Sequence, residues 1–316
     1  MTERLRALSP QQWRVVLAMG AVYVIWGSTY LAIRFALETL PPFGLAGARF
    51  VISGLLAYGW ARWRGAPRPT GRNWRAAAII GALMMVAGNG GVVWAEQHLD
   101  SGLAALLIAT EPLWIVVLFW LRPKGTRPTL QVAAGLALGL AGMAFLVRPG
   151  GGAAPVGALA VLFASFCWAV GSLYGRRAPL PTSPILASGM QMLSGGAMLL
   201  FISLLAGEPA RVDLSQVSLR SLLAVAYLIV GGLIAFTAYG WLLRVASPVM
   251  VSTYAYVNPV VAVLLGWAFA GEPLTGGMLG AAAIILTGVA MITLNPGRPT
   301  RPQPEDEPVE DERAAA

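Results

Sequence analysis

Residues Ser101 to Leu121 read SGLAALLIATEPLWIVVLFWL, an apolar run carrying a single charged side chain, Glu111. As an α-helix this stretch would be about 30 Å long, the thickness of the hydrocarbon core of a bilayer. No face of it is polar, so a helix made of it has nowhere to meet water. The sequence is written for lipid, with one carboxyl near its middle.

The rest of the chain has the same character. Of 316 residues, 57% are hydrophobic and 11% charged, and the mean hydropathy is +0.69. A soluble domain carries about 25% charged residues, so this chain cannot coat a globule of its size in water. Ten apolar runs follow one another. They extend from Val15 to Ile33, Phe43 to Ala61, Trp74 to Trp94, Ser101 to Leu121 and Leu130 to Val147. The second set extends from Val156 to Tyr174, Ile185 to Leu205, Leu219 to Trp241, Ser247 to Phe269 and Met278 to Leu294. The 37 glycines and 22 prolines lie largely inside these runs or punctuate them, as at Pro41-Pro42 and Pro149-Gly150-Gly151-Gly152. Both residues are frequent in membrane helices.

Basic residues orient the spans. With the N-terminus inside, the cytoplasmic segments hold Arg4, Arg6, Arg14, Arg62, Arg64, Arg68, Arg72, Arg75, Arg122, Lys124, Arg127, Arg176, Arg177, Arg244, Arg298, Arg301 and Arg313. Arg34, Arg49, Arg148, Arg211 and Arg220 are left on or near the other side. That is 17 of the 22 Lys and Arg on one side, and adding or dropping a span scrambles the bias. The expectation is an all-α integral membrane protein of ten transmembrane helices with both termini cytoplasmic, in a bacterial inner membrane. The net charge of +8 is then loop charge, with no basic helix face for nucleic acid.

The two halves echo each other at nearly one offset. Trp26-Gly27-Ser28-Thr29-Tyr30 answers Trp168 through Tyr174. Thr110-Glu111-Pro112 answers Tyr256-Val257-Asn258-Pro259, and Gly142 answers Gly288. Five spans per half place the second half upside down in the membrane. Such inverted repeats recur in secondary transporters. The division is a cytoplasmic N-terminus at 1–14, a first repeat at 15–147, a linker at 148–155, a second repeat at 156–294, and an acidic, Pro-rich tail at 295–316. That tail has nothing to bury and is expected to be disordered.

Ile25-Trp26-Gly27-Ser28-Thr29-Tyr30-Leu31-Ala32-Ile33-Arg34, then Pro41-Pro42 and Ala46-Gly47-Ala48-Arg49-Phe50, resemble the opening helices of EamA-type transporters in the drug/metabolite transporter superfamily. Ala87-Gly88-Asn89-Gly90, Ala95-Glu96-Gln97-His98 and Ser101-Gly102 resemble the third and fourth helices. Tyr254-Ala255-Tyr256-Val257-Asn258-Pro259 through Gly266, followed by Gly271-Glu272-Pro273-Leu274-Thr275, resemble the ninth helix in the YedA-like branch. The resemblance runs from Val15 to Leu294. It implies two five-helix EamA repeats around a central cavity and metabolite movement without ATP hydrolysis. Members export amino acids, related metabolites or toxic cations, and some import. By the same resemblance the position of Glu111 is often apolar, which makes it a feature of this branch or a mark of different coupling or substrate charge.

Glu111 is the one acid at the centre of a span. An ionised carboxylate there costs on the order of 3 kcal/mol, so it must face a cavity or a partner. It reads either as a proton-coupling or cation-binding group or as a structural carboxyl bonded to a neighbouring helix. Pro112 and Pro259 each remove an intrahelical hydrogen bond. Irregular backbone at membrane depth belongs where it is buried in protein or lines a cavity. Glu111-Pro112 and Asn258-Pro259 are therefore candidates for two sides of a midplane site, or else ordinary packing kinks. Trp26, Ser28, Asn89, Trp168, Ser172, Tyr254 and Tyr256, with Tyr30 and Tyr174 nearer the span ends, read singly as packing residues and as a set as an amphipathic substrate cavity whose rings would stack on a flat or cationic solute. Glu96 and His98, just past span 3 on the external side, are secondary coupling candidates, with a surface-loop histidine as the plainer reading. Arg34 and Glu38 have helical pairing distance, and Arg49 would snorkel outward or pair with Glu38.

Other classes are excluded by counting. With one histidine, one cysteine (Cys167) and no acidic pair within the spans, no hydrolase triad, metal site or internal disulfide can be assembled. No GxxxxGK[ST] motif supports ATP-driven pumping. The first apolar run is too long for the core of a cleavable leader. The reading is a secondary transporter, not an enzyme, with no cofactor. Its partners are a small-molecule solute, the bilayer and possible protons, and it acts as a monomer or weak homodimer.

Overall fold

A computed structural model describes residues 9–121, 129–147, 154–246, 251 and 253–293. The basic loop 122–128, the linker 148–153 and the tail from 294 lie outside the described residues, as do the first eight residues. Within them the chain is helical: α1 Pro10–Ala36, α2 Pro42–Trp63, α3 Gly71–Ala95, α4 Ser101–Ile108, α5 Glu111–Trp120, α6 Leu130–Val147, α7 Pro155–Gly175, α8 Pro184–Leu205, α9 Leu219–Val245, α10 Tyr254–Ala270 and α11 Gly276–Thr293. Seven helical stretches are long and apolar enough to cross a membrane, the fourth running through α4 and α5 from Ser101 to Leu118. Leu130–Phe145, Val257–Ala270 and Gly276–Ile292 are shorter apolar helices.

Local chemistry sets the boundaries. Ser9 caps α1 through the amide of Gln12, the Gln12 side chain returns the bond to Ser9, and Pro10 fills the first position, where no amide is needed. The helix thus starts before the apolar run at Val15, because its first turns are polar and capped rather than lipid-facing. Thr70 and Asn73 make the same box ahead of α3.

Two spans depart from the plain helices expected. The middle of α3, Gly81–Gly90, is wound as π-helix. The fourth span breaks at Ala109 and Thr110, so Glu111 opens a new helix and Pro112 stands at its second position. Pro112 is therefore a helix-start proline rather than an interior kink, whereas Pro259 does lie inside α10.

Large apolar side chains such as Leu17, Leu55, Phe163, Phe201, Leu223 and Trp267 point outward, while glycines lie where helices come closest. Apolar lipid gives helices no hydrophobic reason to associate, so close backbone approach must hold them. A Cβ on Gly54 of α2 would stand 2.8 Å from the Leu193 amide nitrogen of α8, and one on Gly196 would stand 2.8 Å from that of Val51. Glycine is the residue that lets α2 and α8 meet.

At one end of the bundle α1 and α3 finish while α7 and α9 begin. There Arg34 Nη1 donates to the Glu96 carbonyl at 3.2 Å, Ser221 Oγ donates to the Phe35 carbonyl at 2.8 Å, and Gly157 packs on Leu99. The first helices of the two halves, α1 and α7, thus run in opposite senses. Two Gly-Glu-Pro triplets sit at the same end. Gly207 (φ 67°) and Gly271 (φ 68°) turn the chain out of α8 and α10 in the left-handed region that suits glycine. Glu208 then accepts the amides of Phe43 (3.2 Å) and Gly44 (2.7 Å) at the start of α2. Glu272 accepts those of Ser101 (2.8 Å) and Gly102 (3.1 Å) at the start of α4. Both glutamates, though they lie beyond the ends of the apolar runs, are buried.

Candidate functional site

The helices enclose a cavity of about 890 Å³, its opening included, bordered by α1, α2, α3, α4, α5, α7, α9 and α10. Glu111, buried at the first position of α5, lies on its wall. The Tyr254 hydroxyl, at the first position of α10, donates to Glu111 Oε2. The backbone break before Glu111 is itself satisfied. Thr110 Oγ1 donates to the Leu107 carbonyl at 2.6 Å, and Ser165 Oγ of α7 donates at 3.4 Å to the Ile108 carbonyl, which Pro112 leaves without an amide. One turn beyond Tyr254 on α10, Asn258 and Pro259 also line the wall, and Asn258 Oδ1 is buried without a partner.

An aromatic box forms the apolar body of the site. The Trp26 ring stands 6.0 Å from Trp168, 5.4 Å from Phe236, 4.9 Å from Tyr239 and 5.3 Å from Tyr254, mostly edge to face. Phe236 also packs on Phe50 at 6.1 Å. Edge-to-face rings tolerate flat or apolar solutes against their faces.

Arg49 is a cavity residue that sequence reading placed elsewhere. It neither snorkels nor pairs with Glu38; it is 3% exposed and lines the wall. Its Nη2 donates to Asn89 Oδ1 at 2.9 Å, and its guanidinium lies 4.5 Å from the Phe50 ring centre. The Asn89 amide nitrogen is held in turn by the Met84 carbonyl at 3.4 Å, within the π-helical stretch. The signal was available: Arg49 is the eighth residue of α2, about 10 Å along it at 1.5 Å per residue, too deep for a lipid headgroup.

Of the residues singled out from sequence, Trp26, Asn89, Glu111, Trp168, Tyr254, Asn258 and Pro259 meet on this wall. Ser28 does not: its hydroxyl turns back to the Val24 carbonyl at 2.6 Å and out to Tyr227 Oη at 2.5 Å. Ser172 lies beside Tyr239, off the lining. The Tyr256 side chain lies outside the described residues. Tyr30 is on the wall too, and Thr29, Phe50, Ser165 and Phe236 join it without having been singled out as binding residues.

Glu96 and His98 are not at the cavity. His98 is exposed and packs on Trp94 at 4.7 Å. Glu96, expected in a loop, is fully buried past the end of α3, with neither carboxylate oxygen hydrogen-bonded. Burial pushes its carboxyl well above the usual range. Glu272 pushes the same way, and Arg49 and Arg34 oppose it. The pairing of Arg34 with Glu38 is also replaced, since Glu38 meets Arg220 at 3.1 Å.

The sequence matches the EamA-like transporter family twice, over residues 12–148 and 155–294. It is 41% identical over 281 residues to an uncharacterized inner membrane transporter, YedA, of Escherichia coli (strain K12), covering 88% of this chain and 90% of that one. It is 28% identical over 288 residues to a probable terminal-alkyne amino-acid exporter of Streptantibioticus cattleyicolor, covering 88% and 93%. One crystal structure superposes with a TM-score of 0.62 at 23% identity, over 89% of this chain and 97% of that chain, a likeness of fold.

Proposed function

The chain belongs to the EamA-like transporter family of the drug/metabolite transporter superfamily, and from that premise we propose that it exports small amphipathic metabolites, amino acids or related compounds, across the bacterial inner membrane. The family and these relatives are transporters rather than enzymes. In this reading ten spans, with both termini cytoplasmic, form two inverted five-helix halves. The halves rock about the cavity, exposing it to one side and then the other. Inward proton flow drives the outward step, and Glu111 carries the proton.

The observation that carries the reading is Glu111 itself. It is a carboxyl buried at membrane depth, on the wall of a cavity between the two repeats, held by one tyrosine hydroxyl and facing an aromatic box. A carboxyl kept from lipid by a cavity can exchange a proton with whatever enters it. The test is metabolite counterflow in proteoliposomes, with and without a pH gradient, comparing wild type with Glu111→Gln. Wild type responds to the gradient, while Glu111→Gln keeps exchange and loses the response. Equal behaviour of the two proteins makes Glu111 structural and turns the reading to facilitated diffusion.

A further inference from the structure

Arg49 is a cation placed at membrane depth without a counter-ion in contact. Among the described residues no carboxylate oxygen lies within 4.0 Å of its guanidinium, the ion pair there being Arg220 with Glu38 at the bundle end. Glu96 acts on Arg49 electrostatically from beyond contact. Arg49 Nη2 is committed to Asn89, and Nε is buried with no partner at all. A buried guanidinium in this condition is costly unless an anion completes it. Its planar fork fits a carboxylate through two parallel N–H bonds.

The surroundings say what else such an anion carries. Phe50 lies against the guanidinium, and Phe236, Trp26 and Trp168 continue the apolar surface away from it. Glu111, on the same cavity wall, is already engaged by Tyr254. From this placement we infer that Arg49 is the specificity residue of the cavity, receiving the carboxylate of a small organic acid whose apolar or aromatic body lies in the box. The inference rests on the transport reading for its site and adds the chemical class of the solute. Asn89 is the positioning residue: it fixes the guanidinium and leaves the rest of the fork to the solute.

The experiment is calorimetric binding to the purified full-length protein in detergent, using three probes of one shape: 3-phenylpropionate, its uncharged amide, and 3-phenylpropylamine. Wild type binds the acid at least tenfold more tightly than the amide and the amine. Arg49→Gln loses that preference and binds acid and amide alike, and Arg49→Lys, a point charge without the fork, falls between. Asn89→Leu keeps the cation but frees it, and lowers the ratio of acid to amide affinity several-fold. That variant carries the test should Arg49→Gln not fold. An acid preference that survives Arg49→Gln, or that Asn89→Leu leaves at its wild-type size, overturns the inference, as does tighter binding of the amine or binding of none of the probes by wild type. Acid-selective binding combined with no movement of any solute in proteoliposomes would instead overturn the transport reading and leave Arg49 in its role.

Discussion

Glu208 and Glu272 make the same contact twice. Each follows a left-handed glycine, precedes a proline, and accepts two successive amides at the start of a helix belonging to the other repeat. Both come from the second half, reach into the first, and do so at one end of the bundle. They also sit where the partial positive charge of a helix N-terminus favours an anion.

Removing either carboxylate strands two helix-start amides, part-buried at Glu208 and buried at Glu272. Glu208→Ala and Glu272→Ala should each lower stability by about 1–3 kcal/mol, and Glu→Gln, which keeps one acceptor oxygen, should lose less. Melting of the purified protein in detergent reads this directly. Alanine variants that melt with wild type would show that the contacts do not hold the halves together.

Tyr254→Phe deletes the hydroxyl that donates to Glu111 while leaving the ring in the aromatic box. A hydrogen bond to a charged group contributes about 1.5–3 kcal/mol, so the response to the pH gradient should weaken by roughly tenfold or more, while counterflow without a gradient continues as it does in Glu111→Gln. Melting should change little. A gradient response equal to that of wild type would mean that Glu111 does not depend on Tyr254.

Gly54→Leu puts a side chain where the Leu193 backbone already stands. The α2–α8 pair must separate, at a cost of about 1–3 kcal/mol or more. The expected result is a lower yield of folded protein and earlier melting, with Gly59→Leu, where a Cβ meets open space, as the neutral control.

Asp100 and Glu96 give a pH dependence of known sign. Burial, then Glu272, raises both carboxyls, with Arg34 opposing at both and Arg49 at Glu96. The folded state therefore binds more protons than the unfolded one, and stability falls as pH rises. The loss begins near the unfolded carboxyl values of about 4 and continues upward through the raised folded values. Melting measured across pH should show this decline in wild type and a flatter profile in Glu96→Gln/Asp100→Asn. A wild-type profile that instead rises over that range would reverse the assignment of sign.

Much of this was readable from the sequence because lipid imposes one rule on many residues. Apolar length gave the helices, and the single mid-span acid led straight to the cavity. The paired tryptophans and the Asn258-Pro259 step met it there. What escaped reading depends on which way a helix face turns. Ser28 and Trp26 are two residues apart on α1, yet one faces Tyr227 and the other the cavity. Glu96, Glu208 and Glu272 look like loop residues because their partners are amides and charges far along the chain. Arg49 was misplaced because an arginine near a span end ordinarily reaches for water, whereas here it bonds to Asn89, forty residues on.

Asn89 owes its aim to the widened turns of Gly81–Gly90. A π-helical stretch is an α-helix with an extra residue absorbed into its turns. Taking one residue out, at Leu83 for instance, would let the α-register close and swing everything beyond it by about 100°. Asn89 would leave Arg49, yet the span would stay as apolar and as able to cross the membrane as before. Shortening α3 by one residue is thus a way to switch off recognition without touching a single side chain of the cavity.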